Sequence, residues 1–270
     1  MFEQQILLTG GVSIKFLSPE QVSLFGTPVY LGKTLTDGAP VVLLICDSEQ
    51  AQSIEAAESE WHQLRRSGIG LSSTEAAIFT QALALANWHQ THRFCATCGS
   101  STTAGEAGWV RTCDSEGRET YPRTDPAIIV GVIDEQDRIL LGSQGVWEEN
   151  RFSILAGFVE PGESLEAAVI REMQEEAGIL VEDPVFLGSQ AWPFPYSLMV
   201  GFTAKIDPQH SEKDLLPDGF EIEKLRWFSR DDIAAEASQL LLPGRMTISR
   251  ALIEHWYGSE IVSATELEKP

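Results

Sequence analysis

Gly157-Phe-Val-Glu-Pro-Gly-Glu163-Ser-Leu-Glu-Ala-Ala-Val-Ile-Arg171-Glu-Met-Gln-Glu-Glu-Ala-Gly-Ile179 is the most informative stretch of the chain. Leu165, Ala168, Val169 and Met173 recur with helical period, so Ser164–Ala177 reads as a helix with one apolar face. Gly178 ends it, as a residue free to take a left-handed conformation. On such a helix Glu172, Glu175 and Glu176 fall at i, i+3 and i+4 and share a second face. Three like charges there cost stability unless a cation sits among them, and hard divalent ions prefer all-oxygen ligands. Gly157 and Gly162 permit a tight loop ahead of the helix. An isolated R-E-x-x-E-E is most often a solvated acidic face. Here the full pattern is G-x5-E-x7-R-E-U-x-E-E-x-G-U, with Met173 and Ile179 apolar, and every specified position is met.

Working outward, Ala127–Ile133 and Arg138–Leu141 flank the turn Asp134–Asp137 and read as a hairpin of two buried strands. Phe152–Phe158 is a further strand or loop, Val185–Leu187 and Leu198–Ala204 are strands, and Thr247–Trp256 is a closing helix. The tail from Gly258 reads as polar and mobile. Upstream, residues 1 to about 70 read as short strands with Gly/Pro/Asp turns (Val12–Phe16, Val29–Leu31 and the apolar run Val41–Cys46), with a helix over Ile54–Arg65. Ser72-Ser-Thr-Glu75 has capping-box spacing and opens an alanine-rich helix to about Gln90. The boundaries expected are 1–90 for an N-terminal α+β domain, 91–121 for a cysteine-bearing module, 122–257 for a mixed α/β domain and 258–270 for the tail.

The Gly157–Ile179 pattern resembles the signature of the Nudix hydrolases across its whole length. That resemblance implies an α/β/α sandwich and, for the chain as a whole, an α+β class. It implies cleavage of a nucleoside diphosphate linked to another moiety, by water attack at phosphorus with Mg2+ or Mn2+. Carried over, Glu172, Glu175 and Glu176 are metal ligands. Arg171 and Glu163 form the charged pair that braces loop and helix, Ala156 offers a backbone metal contact, and Phe158 faces substrate.

Ten residues beyond lies Ser189-Gln-Ala-Trp-Pro-Phe-Pro-Tyr-Ser197. Pro193 and Pro195 enforce extended backbone, so Trp192, Phe194 and Tyr196 can project on one side, where aromatic faces suit a flat base. The competing reading is an edge strand whose rings belong to a core or a dimer contact. The segment resembles the S-Q-P-W-P-F-P-x-S array of the NADH pyrophosphatase, NudC-type, branch of the Nudix enzymes, with Ala191 where that branch has proline. The resemblance makes Gln190, Ala191, Trp192, Pro193, Phe194, Pro195, Tyr196 and Ser197 substrate-binding. It adds Tyr121 as a substrate-facing residue, Glu221 as a further metal carboxylate, and Ser249 where the branch has a substrate-contacting alanine. It also implies a homodimer.

Cys95-x2-Cys98-x14-Cys113-x2-Glu116 has zinc-ribbon spacing, with Glu116 where the resembling enzymes carry a fourth cysteine. Three thiolates and a carboxylate can hold structural Zn2+; the alternative is a metal-free knuckle packed around Trp109. Cys46 lies in an apolar run and reads as a core residue.

The 270 residues include 19 Lys and Arg against 40 Asp and Glu, a net charge of −21. That surplus disfavours a protein that grips nucleic acid by counterion release. A bound divalent cation can still invert the local sign for a phosphate-bearing small molecule. The longest apolar run falls short of the ~20 residues a membrane helix needs, and no basic leader precedes the first apolar residues. Four cysteines in this length are no disulfide scaffold, so a reducing cytoplasm is expected. The leading function, implied by the resemblance to the NADH pyrophosphatase branch, is hydrolysis of NADH or NAD+ to nicotinamide mononucleotide and AMP. Removal of the NAD cap from RNA 5′ ends, or hydrolysis of other nucleoside diphosphate derivatives, is the alternative. A zinc-ribbon/Nudix ligand-sensing module ranks third, because the carboxylate box is intact.

Overall fold

The computed structural model describes residues 1–22, 26–34, 36–55 and 57–267. The chain divides into two compact units, Met1–Thr124 with Trp192–Tyr196, and Asp125–Ala191 with Ser197–Pro270.

In the first unit, β1 (Gln5–Thr9) pairs antiparallel with β2 (Ser13–Ile14). A separate two-stranded sheet joins β3 (Thr27–Lys33) to β4 (Pro40–Ile45). The apolar run ending at Cys46 is buried only at alternate positions: Val41 and Leu43 are covered while Val42 is exposed, as strand period requires. The expected Ile54–Arg65 helix is not formed. Asp47 instead caps α1 (Ser48–Ile54) with a full capping box, and β5 (Trp61–Gln63) pairs with β1 before the short α2 (Leu64–Ser67). The Asp47 cap sets the helix start at Ser48, six residues upstream of the expected one.

The capping box at Ser72 is present, and α3 runs Ser73–Thr91. Glu75 extends the cap, since its Oε1 accepts from Ser13 Oγ (2.6 Å) and the Ile14 amide (2.8 Å). Burial of Phe79, Ala82, Leu83 and Ala86 against Val29 and Leu43 builds the core of this unit. The cysteine module follows as a three-stranded meander, β6 (Thr102–Gly105), β7 (Val110–Cys113) and β8 (Glu119–Thr120).

The second unit is built on β9 (Asp125–Ile133), whose near-continuous apolar sequence marks a strand covered on both faces. It pairs antiparallel with β11 (Leu155–Phe158) and parallel with β13 (Ser197–Ile206), in the register Ser197–Asp125 to Lys205–Ile133. The edge strand β12 (Val181–Trp192), which tolerates Pro184, pairs with β13. β10 (Ile139–Ser143) meets β9 only at Ile139–Ile133 and pairs along its length with β14 (Lys224–Phe228). The expected hairpin is therefore present but short, closed by the Asp134 amide on the Arg138 carbonyl (3.0 Å).

Alternate residues of β9 enter different cores. Ile128, Val130 and Val132 meet Ala168, Val169, Met173 and Ala177 of α4 (Leu165–Ala177). Ile129 faces Ile233 of α5 (Arg230–Glu236) and Leu252, Ile253 and Trp256 of α6 (Ile248–Tyr257). Helices on both faces of one sheet make an α/β/α sandwich. The segment beyond Gly258, expected as a polar tail, packs as far as it is described. Ile261 is 4% exposed, and the fully buried Arg250 donates to its carbonyl. Residues 268–270 lie outside the described set. Among the described residues no helix is long and apolar enough to cross a membrane.

Candidate functional site

Ser164 caps α4 through the Ala167 amide, and Gly178, at φ +70, closes it. The helix thereby presents Arg171, Glu172, Glu175 and Glu176 along its last two turns. Arg171 is the hub. Its guanidinium donates twice to Glu163 (2.6 and 3.1 Å), to Glu172 Oε1 (2.8 Å), to Glu175 Oε2 (2.9 Å) and to the Phe158 carbonyl (2.9 Å). The pairing expected of Arg171 and Glu163 is thus made, in fork geometry. Phe158 itself exposes its ring, while Ala156 lies half-buried on β11 opposite Ile129.

Glu172 and Glu176 are buried, whereas Glu175 and Glu221 are exposed. Glu176 Oε2 has no hydrogen-bond partner. Burial, and then the charges of Glu172, Glu221, Asp218 and Glu175, push the Glu176 carboxyl up to about 8. Burial likewise raises Glu172, although Arg171 opposes the shift. These mutual influences bring Glu221 and Asp218 into the same negative pocket. A Cβ on Gly157 would lie 1.9 Å from the Glu172 carboxyl carbon, so the backbone there forms a cradle for that carboxylate. A buried, unpartnered carboxylate among like charges is a costly arrangement that a divalent cation relieves. The residues present fit such an ion.

Asp218 was not a sequence candidate. Its carboxylate accepts from the Phe220 (3.1 Å), Glu221 (3.2 Å) and Ile222 (2.8 Å) amides and so shapes the turn that carries Glu221. The Asp218-Gly219 dipeptide, a turn signal, was the available clue.

Within the first unit, the rings expected to project together divide. Trp192 and Phe194 are half-buried and meet edge to face at 4.9 Å. Tyr196 is buried instead, its hydroxyl held by Thr91 Oγ1 and by the Asn87 carbonyl (3.2 Å). Pro193 is buried and Pro195 exposed. The Arg65 guanidinium lies 4.1 Å from the Phe194 centroid and 5.5 Å from that of Trp192. Nothing in the local sequence marks Arg65 for this contact. Tyr121 is exposed and donates to Glu119 Oε2 (2.6 Å).

In the second unit the Gln190 side chain ties β12 to the start of α6, donating to the Met246 carbonyl (2.6 Å) and accepting from the Ile248 amide (2.8 Å). A groove of about 490 Å3 runs beside it, lined in part by Ser189, Arg245 and Thr247. Ser249 is buried with its hydroxyl 2.8 Å from Ser153 Oγ. Its extra oxygen relative to alanine is absorbed there. Ala191 is exposed and Ser197 half-buried, opposite Asp125.

Cys95, Cys98, Cys113 and Glu116 bring one ligand atom each within 4.8 Å of one another. Cys98 Sγ stands 3.5 Å from Cys113 Sγ, and the Glu116 amide donates to Cys113 Sγ (3.4 Å). Cys95 and Cys113 are buried, Cys98 and Glu116 exposed. Amide donors from Cys98 and Thr97 lower the Cys95 thiol to about 7. Three thiols and a carboxylate converging in this way suit zinc.

Family models match three successive parts of the chain. An NADH pyrophosphatase-like rudimentary NUDIX domain covers residues 5–88, an NADH pyrophosphatase zinc ribbon domain 90–121, and a NUDIX domain 122–247. A protein of Pseudomonas syringae pv. tomato, named NAD-capped RNA hydrolase NudC, is 36% identical over 220 residues, spanning 81% of this chain and 73% of the relative. The chain belongs to the NudC branch of the Nudix family. The relative of the same name from Mycobacterium tuberculosis H37Rv is 45% identical over 207 residues. That match spans 73% of this chain and 65% of the mycobacterial protein, so the chain covers less than two thirds of that relative's length. Nudix hydrolases use divalent metals, and the negative pocket on α4 lies within the NUDIX match. The three cysteines and Glu116 fall within the ribbon match.

Proposed function

We propose that this Nudix protein hydrolyses the pyrophosphate bond of NAD(H), releasing nicotinamide mononucleotide and AMP. The observation that carries the proposal is the buried, unpartnered Glu176 carboxylate beside Glu172, on a helix whose neighbours Glu175 and Glu221 add charge to the same pocket. Glu172, Glu175, Glu176 and Glu221, with the Ala156 carbonyl, would hold Mg2+ or Mn2+. Such ions, when bound, neutralise a diphosphate, acidify a coordinated water and stabilise the leaving oxygen.

The chain's own side chains supply the rest. Arg171 is saturated by Glu163, Glu172, Glu175 and the Phe158 carbonyl, so it orients the carboxylates and leaves no donor fork for substrate. Trp192 and Phe194 offer the ring faces for a base, and the exposed rings of Phe158 and Tyr121 are further substrate-facing surfaces. Ser249 would contact substrate through its backbone, its hydroxyl being engaged by Ser153. Cys95, Cys98, Cys113 and Glu116 would hold structural zinc. We read the chain as an N-terminal module, a ribbon and a Nudix domain with boundaries near 90 and 121, acting as a cytoplasmic homodimer.

Removal of the NAD cap from RNA is the second reading, favoured by the name that the relatives carry. The net charge of −21 confines that activity to contacts with the cap. One experiment tests both: product analysis with NADH, NAD+, ADP-ribose, diadenosine polyphosphates and NAD-capped RNA, with Mg2+ or Mn2+ added. Nicotinamide mononucleotide and AMP from the free dinucleotide are expected. An enzyme that leaves NADH and NAD+ intact while cleaving another substrate overturns the first reading, and release of nicotinamide mononucleotide from capped RNA alone installs the second.

A further inference from the structure

Trp192–Tyr196 has few hydrogen bonds of its own. Pro193 and Pro195 carry no N–H, and the Phe194 amide turns back to the Trp192 carbonyl (2.8 Å). What orients the segment must come from outside it.

Asn87, on α3, is 5% exposed. Its Nδ2 donates to the Pro193 carbonyl at 3.0 Å and to the Pro195 carbonyl at 3.5 Å. Both partners are acceptors, so the amide nitrogen, and not the oxygen, must face them. The two carbonyls bracket Phe194, the ring that pairs with Trp192. One turn of α3 therefore grips the segment twice, through Asn87 Nδ2 and through the Tyr196 hydroxyl on the Asn87 carbonyl and Thr91.

The helix is itself anchored to the cysteine module. His89, also buried, bonds the Gly108 carbonyl through Nε2 (2.8 Å), and its Nδ1 lies 3.0 Å from an Arg111 nitrogen. A neutral ring with the proton on Nε2 satisfies both partners. Arg111 binds the Thr102 carbonyl (2.6 Å) and hydroxyl (2.7 Å), two residues before Cys113 on β7.

We propose that Asn87 is a positioning residue for substrate binding, its buried amide fixing Trp192–Tyr196 in the orientation that receives the base of a dinucleotide. This rests on the reading of that segment as the base-binding surface. A purely structural asparagine would lower stability and all activities together. A positioning one separates them.

The test compares the parent enzyme with Asn87→Asp, which keeps the shape, loses both donors and sets an anionic oxygen against the carbonyls. Thermal melting and zinc content first establish that the variant is folded; should it not fold, Asn87→Ala carries the same readings. KM for NADH is expected to rise about five- to thirtyfold, the scale set by the two buried hydrogen bonds lost. The kcat should stay within about twofold, and hydrolysis of an alkyl pyrophosphate lacking any ring should be unchanged. Fluorine NMR of protein labelled with 5-fluorotryptophan gives an independent reading. The Trp192 resonance, assigned through Trp192→Phe, should shift or broaden, while that of Trp227 on β14 stays in place.

Unchanged KM in a folded variant, equal losses on the ring-free substrate, or an unmoved Trp192 resonance each overturn the proposal. If the parent cleaves no dinucleotide, the base-binding reading fails and takes the substrate half of the proposal with it. The fluorine spectrum then decides separately whether Asn87 orients the segment.

Discussion

Replacing Glu176 by Gln should stabilise the protein when no divalent ion is bound at the carboxylates, and increasingly so as pH rises above about 4.5. The folded carboxyl is raised from 4.5 to about 8, chiefly by burial and then by its acidic neighbours. The folded state therefore binds a proton more tightly than the unfolded chain, and stability falls as pH rises from about 4.5 towards 8. At 1.36 kcal/mol per pH unit the loss reaches about 4 kcal/mol by pH 7.5. Glutamine keeps the shape of the protonated acid and cannot ionise, so the variant escapes that loss. At about 2–4 °C per kcal/mol for a domain of this size, the unfolding transition of the Nudix unit should rise by roughly 8–16 °C at pH 7.5. At pH 4.5 the two proteins should melt together. Calorimetry on protein purified without added Mg2+ or Mn2+, with ribbon zinc retained, reads both values. Adding Mn2+ should then raise the parent's transition and leave the variant's nearly unmoved. A variant that gains nothing at pH 7.5, or gains as much at pH 4.5, would refute the assignment of Glu176 as a buried carboxyl kept for a cation.

Gly157→Ala should leave the fold intact yet cut turnover by at least about 10²-fold, because the new methyl needs the space of the Glu172 carboxylate; normal Mn2+ affinity by titration would rule this out. Trp192→Ala should raise KM for NADH about tenfold or more while sparing a ring-free pyrophosphate, and equal losses on both would make the ring structural. Glu116→Cys should slow zinc release to a chelator and raise thermal stability, since thiolate holds zinc more firmly than carboxylate. Protein that carries no zinc before or after that change would remove Cys95, Cys98 and Cys113 as ligands.

The helix α4 was legible because every determinant is local: the Ser164 cap, the apolar period, the clustered acids and Gly178. The same holds for the Ser72 cap of α3. Where partners lie far along the chain, reading failed. Ile139–Ser143 does turn back on Ala127–Ile133 as read, but its longer pairing, with Lys224–Phe228 some eighty residues away, left no local signal. The stretch after Gly258 looked polar because its few apolar residues give no period, and a buried cation, Arg250, reaches it through a carbonyl. Asn87 and Arg65 carry no local signal at all, since each acts on residues more than a hundred positions later. Tyr196 shows the limit of pattern reading most clearly: alternation put it beside Trp192 and Phe194, yet its hydroxyl drew it into α3.

Arg171 also bears on the speed of ion exchange. With one guanidinium already shared among Glu163, Glu172 and Glu175, much of the repulsion that would splay these acids apart is relieved before any ion arrives. On the proposed assignment, an ion entering beside Glu172 and Glu175 would find those two carboxylates gathered, and little of its binding free energy would go into rearranging the chain. Exchange at this pocket should then follow the ion's own hydration, quick for Mn2+ and slower for Mg2+, which gives up its waters reluctantly.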